Sequence, residues 1–145
     1  MNRVRSGTEL VAIWMLNSQC GASAYPALPA ASRQVQTKLR EYVRRTQQRL
    51  VVVGVDLDGS GDGNSRLLST FGEFDETLVG GGWLSSAALS FLVRDNPGPL
   101  AVPQLVLIER EILAKSSGLR VSTDRVIARK VGYDEIMAFA NDSVR

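Results

Sequence analysis

Histidine is absent from this chain of 145 residues, and cysteine occurs once. Without an imidazole there is no histidine general base, no Ser-His or Cys-His dyad, and the commonest metal ligand is missing. A single thiol then leaves no donor set for zinc, haem or iron–sulfur sites of the usual kind, so no metal and no cofactor is expected. One cysteine cannot form an intramolecular disulfide, and nothing marks an oxidising compartment. Long apolar runs are also missing: none approaches the roughly 20 residues that a membrane-crossing helix needs. Residues 1–7 carry charge but no signal-peptide core follows them, so the expected location is cytoplasmic, or periplasmic for a chain already freed of an export signal. Nor is there an excess of one charge. Lys and Arg number 17 against 15 Asp and Glu, a net +2, which argues against nucleic acid or an anionic membrane as partner. The basic residues Arg33, Lys38, Arg40, Arg44, Arg45 and Arg49 fall together on one predicted helix. They have no aromatic or base-reading neighbours, so they read as a solvated face.

What remains is ordinary globular material, 44% hydrophobic and 22% charged. At this length residues 1–145 form one expected domain, burying roughly two thirds of the unfolded surface. Residues 9–16 are continuously apolar and rich in Val, Ile and Trp, which predicts a buried strand. From about 24 to 48, Leu28, Val35, Leu39, Tyr42 and Val43 recur at helical spacing, with Pro26 and Pro29 tolerable in a first turn. Residues 50–55 are a second apolar strand. Strand, helix, strand predicts a parallel pair with a right-handed crossover. Residues 65–71 read as a short helix and 75–79 as a minor strand. Residues 83–94 read as a helix, and Asp95-Asn96-Pro97-Gly98-Pro99 as a turn. Strands at 104–109 and 125–131 and a helix at 133–141 close the chain, with Gly132 permitting the turn into that helix.

The cysteine sits between the first strand and the long helix, in Cys20-Gly21-Ala22-Ser23. With Ile13-Trp14 before it, Val102-Pro103 ahead of the penultimate strand and Ala128-Arg129-Lys130-Val131-Gly132 before the last helix, the chain resembles the thioredoxin-like superfamily over nearly its whole length. The segment at about 65–100 looks like the insertion of the cytochrome-maturation and peroxiredoxin-like branch. The resemblance implies an α/β fold: a central mixed β-sheet flanked by helices, with a helical insertion before a cis-proline strand. This sequence departs from the family pattern in having Ser23 for the second cysteine, Gln19 for the preceding aromatic and Ala12 for the buried acid.

From the resemblance, Cys20 stands at a helix N-terminus, where unpaired N–H groups and the macrodipole favour a thiolate. Cys20, Ser23 and Pro103 are then the catalytic candidates, and Gly21, Ala22 and the Val102 backbone the substrate-binding ones. Ser23 can donate to the sulfur or cap the helix but cannot resolve a mixed disulfide. The implied function is monothiol–disulfide exchange or thiol capture on protein thiols or disulfides, with glutathione as external thiol. A redox-inert protein-binding module built around Pro103 stands beside it, with Cys20 a small buried hydrophobe.

A second motif competes. The run Val51–Val55 ends in Asp56-Leu57-Asp58-Gly59-Ser60, which resembles the first motif of haloacid-dehalogenase-type phosphatases. There Asp56 would attack phosphorus and Asp58 act as acid/base beside Mg²⁺. The same loop fits early positions of a calcium loop, but Leu67 stands where the bidentate Glu belongs. As a dinucleotide loop, residues 59–63 lack the third glycine. The plain reading is an acidic strand-to-helix loop whose glycines allow a tight turn. Gly80-Gly81-Gly82-Trp83 reads as a hinge, or as a break before a core tryptophan.

Overall fold

A computed structural model describes residues 6–17, 20–57, 66–79, 98–99, 101–118 and 120–142. Strand β1 (Gly7–Leu16) is followed by a short 3-10 turn (Gly21–Ala24), helix α1 (Ala27–Thr46) and strand β2 (Arg49–Asp56). Helix α2 (Arg66–Phe71) and strand β3 (Glu76–Val79) come next, then β4 (Gln104–Ala114), β5 (Arg120–Val131) and helix α3 (Gly132–Asn141).

The five strands form one sheet in the order β3-β2-β1-β4-β5. β1, β2 and β3 run parallel; β4 is antiparallel to both β1 and β5. A parallel βαβ unit joined to an antiparallel ββα unit, with the strand after Val102-Pro103 lying beside β1, is the thioredoxin-like arrangement. The described part of the insertion is not purely helical: α2 is followed by β3, which extends the sheet at the β2 edge. The helix predicted at 83–94, the glycines at 80–82 and Asp95, Asn96 and Pro97 of the predicted turn lie outside the described residues.

Side chains alternate across the strands, so β1 feeds two cores. Leu10, Ala12, Trp14 and Leu16 face the helices, packing with Leu28, Val35 and Leu39 of α1, Phe71 of α2 and Ile136 of α3. Trp14 is fully buried, its ring centroid 6.1 Å from that of Phe71. Val11, Ile13 and Met15 join Val53, Val55, Val106 and Ile108 in a buried cluster on the opposite face. With both faces buried, these strands read as continuous apolar runs.

At the far end of β1 the sheet changes chemistry. Arg49, Glu9, Arg110 and Asp124 are successive register partners across four strands, a row of alternating charge. Glu9 lies 3.7 Å from Arg49, and Arg110 is bidentate to Asp124 at 2.8 and 3.0 Å. The Asp124 carboxylate raises the Arg110 guanidinium above its ordinary value, mainly through those hydrogen bonds. Arg49 therefore belongs to β2 and not to the basic helix face on which the sequence places it. Three other members of that face have structural partners, Arg40 among them through the Gln36 amide oxygen at 3.4 Å. Arg33 donates to the Thr70 carbonyl at 3.1 Å, and Lys38 donates to the carbonyls of Ala140 and Asp142 at the end of α3.

The hairpin is longer than the sequence predicts. β4 continues from 109 to 114 and β5 starts at 120 instead of 125. These outer halves mix charged and hydroxyl residues with apolar ones, and they pair in register up to Ala114 opposite Arg120.

Candidate functional site

β1 delivers the chain to the top of the sheet, and a turn carries it to Cys20. The Cys20 N–H donates to the Asn17 carbonyl at 3.0 Å, and the Ser23 N–H donates to the Cys20 carbonyl at 3.0 Å. From the other side, β4 begins at Gln104 directly after Val102-Pro103, whose peptide bond is cis. The Pro103 carbonyl accepts from the Gly132 N–H at 2.8 Å, which ties this loop to the start of α3. Gly132 has φ +83°, a conformation that favours glycine.

These elements bring the two sequence landmarks together. The half-buried Cys20 thiol donates to the Val102 carbonyl at a sulfur–oxygen distance of 3.3 Å, although 82 residues separate them. Pro103 is buried behind that carbonyl. Gly21 is exposed and opens the 3-10 turn, which also contains Ala22. Tyr25, 49% exposed, meets Tyr133 edge-to-face at 4.8 Å, an aromatic pair between the end of that turn and the start of α3.

Two expectations need correction. Cys20 does not stand at the N-terminus of the long helix. α1 begins at Ala27 with Pro26 as its N-cap, and the sulfur precedes a separate four-residue 3-10 turn. Pro26 explains the break, because the residue before a proline is disfavoured in the α region, so helix cannot continue back through Tyr25. Ser23 consequently caps nothing in α1. It is buried, its hydroxyl accepts from the Asn17 N–H at 3.4 Å, and among the described residues it makes no hydrogen bond to the sulfur.

Gln104 and Arg129 also belong to this region, although the sequence marks Gln104 only as a strand start. The Gln104 amide donates to the carbonyls of Pro99 at 3.1 Å and Ala101 at 3.0 Å and accepts from Arg129. Burial pushes the Arg129 guanidinium below its ordinary value.

Of the competing motif, only Asp56 and Leu57 lie among the described residues. Asp56 is 3% exposed at the end of β2, and Asp58 lies outside the described residues, as do residues 59–64. Leu67 is in α2, and no cluster of metal-ligating side chains occurs among the described residues. A groove of about 300 Å³ lies at the β2–β3 edge, lined by Arg40, Leu50, Val52, Glu73, Phe74 and Asp75, and it shares no residue with the Cys20 region. Among the described residues no helix is long and apolar enough to cross a membrane.

No family model matches the chain, and no curated protein matches it. Solved structures that resemble it include two Sco-family proteins. One is a SCO1/SenC family lipoprotein from Bacillus anthracis str. Ames, 9% identical, covering 91% of this chain and 79% of that one at a TM-score of 0.37. The other is BsSco, a member of the Sco family of cytochrome c oxidase assembly proteins in which a disulfide switch was identified. It is 16% identical, covering 91% of this chain and 78% of that one at a TM-score of 0.38. At such scores the fold assignment rests on the strand order and register above.

Proposed function

We propose that this protein is a thioredoxin-like redox protein that works through Cys20 alone, by monothiol–disulfide exchange with protein disulfides. The observation that carries the reading is the contact of the half-buried Cys20 thiol with the Val102 carbonyl beside the cis Val102–Pro103 bond.

The chemistry follows from having one sulfur. Cys20 loses its proton to solvent, and the thiolate attacks one sulfur of a substrate disulfide. A Cys20–substrate disulfide forms, the substrate S–S bond breaks, and the second substrate sulfur leaves as a thiolate. Ser23 has no thiol to resolve this intermediate, so release needs an external thiol such as glutathione. That thiol attacks as thiolate and leaves disulfide-linked to the substrate, while the Cys20 thiolate is regenerated. Without an external thiol the mixed disulfide persists, and the protein captures its partner. The exposed Gly21 and the Val102 backbone flank the sulfur and are the surfaces a substrate chain would meet.

The test is incubation of the folded protein with glutathione disulfide across pH, followed by intact mass, with Cys20→Ser as control. The expected product is one glutathione adduct on Cys20 that reduced glutathione removes. No adduct until denaturant unfolds the chain would overturn the reading and leave a redox-inert scaffold around Pro103.

A further inference from the structure

Gln104, the first residue of β4, is 0% exposed. A buried side-chain amide needs partners for both donors and for its oxygen. Both donors reach back onto the incoming loop, to the carbonyls of Pro99 and Ala101. The oxygen accepts from Arg129 Nη1. Arg129 is the β5 register partner of Val106, so it stands on the same face of the hairpin as Gln104. The loop also lies against its guanidinium: a Cβ on Gly98 would come within 2.5 Å of the Arg129 Cζ. The next carbonyl in the chain after the two that Gln104 holds is that of Val102, the one that accepts from the Cys20 thiol.

We propose that Gln104 and Arg129 are positioning residues for Cys20, holding the Val102 carbonyl against the sulfur and thereby setting how readily the thiol ionises. The proposal rests on the thiol-exchange reading of the site. A carbonyl aimed at S–H stabilises the protonated sulfur and opposes the thiolate.

The test uses the full chain with Gln104→Leu, Arg129→Met and Arg129→Lys, and with Ile136→Val as a stability control from the opposite face of the sheet. Alkylation of Cys20 is followed against pH, and Tm is recorded for each variant. Loss of the carbonyl contact is expected to lower the midpoint of the rate profile by about half a pH unit, a roughly threefold faster reaction at neutral pH. Arg129→Lys, which keeps a donor for the Gln104 oxygen, should stay closer to wild type. Ile136→Val should lower Tm without moving the profile. Profiles of Gln104→Leu and Arg129→Met that coincide with the control would overturn the proposal; if Gln104→Leu does not fold, Arg129→Met carries the comparison. If folded wild type is not alkylated at all, the exchange reading falls. The positioning role is then read from the ¹³C shifts of the Val102 carbonyl and the Cys20 Cβ in the same variants: displacement supports it and unchanged shifts refute it.

Discussion

Gly54 lies in β2 between Trp14 of β1 and Thr77 of β3, its backbone fixed by ladders on both sides. A Cβ added there would stand 2.9 Å from Leu68 Cδ2 and 3.0 and 3.1 Å from Phe74 ring carbons. Carbon atoms pack at about 3.5–4.0 Å, so the overlap is roughly half an ångström or more at each contact. The strand cannot retreat, and Leu68 is buried, so relief means shifting α2 and the Phe74 ring outward. Overpacking of this kind costs about 1–3 kcal/mol. Against it, alanine narrows the unfolded ensemble by about 0.4–1 kcal/mol. The net expectation for Gly54→Ala is a loss of about 1–2 kcal/mol, or about 3–7 °C in Tm at this chain length. Gly7 is the internal comparison, because a Cβ there meets nothing within 4 Å, and Gly7→Ala should leave Tm within about 1–2 °C of wild type. Urea titration and calorimetry measure both. Combining Gly54→Ala with Leu68→Ala should cost less than the sum of the two, because the truncation removes the nearest obstacle. A Gly54→Ala protein as stable as wild type, or strict additivity in the double variant, would refute the steric account.

The Lys38 ammonium donates to the carbonyls of Ala140 and Asp142 at the C-terminal end of α3, where a cation complements the helix dipole. Lys38→Met should therefore cost about 1 kcal/mol and speed amide exchange in the last turn of α3 before it does so elsewhere; uniform exchange changes would contradict a local cap. Glu109 is held below the ordinary carboxylate range, first by its hydrogen bond from Arg125 and then by that from Gln48. The folded state then binds the proton less readily than the unfolded chain. The contribution is present above the unfolded value and is lost as pH falls through the lower folded value. Glu109→Gln should be less stable than wild type at neutral pH, with the gap closing below about pH 4 in thermal melts; a gap independent of pH would mean that the charge plays no part.

Much of this fold is written in local pattern. β1 and β2 are apolar on both faces because both faces are buried, and such runs need no partner to be recognised. α1 shows its buried positions Leu28, Val35, Leu39 and Val43 at helical spacing, and the apolar pattern places its C-terminal end at about 48, close to the observed Thr46. The outer halves of β4 and β5 were not legible in the same way. From Arg110 to Ala114 and from Arg120 to Asp124, cross-strand pairing joins segments in which charged and hydroxyl residues interrupt the apolar ones, so no continuous hydrophobic pattern marks them. The start of α1 is legible in Pro26, which disfavours helix just before it, whereas the apolar spacing alone runs back to about 24.

By itself the chain determines that one thiol and no imidazole are available, that a βαβ unit opens the fold, and that Ser23 cannot resolve a disulfide. Those are statements about composition and near neighbours, where propensity and burial act along the chain. Tertiary structure alone decides what the thiol faces. Cys20 meets Val102 across 82 residues because β1 and β4 pair antiparallel, and Gln104 reaches Arg129 because β4 and β5 do. The resemblance groups Cys20 with Val102-Pro103, but no local pattern does, and each contact exists only once sheet register has been set by the burial of both faces of β1.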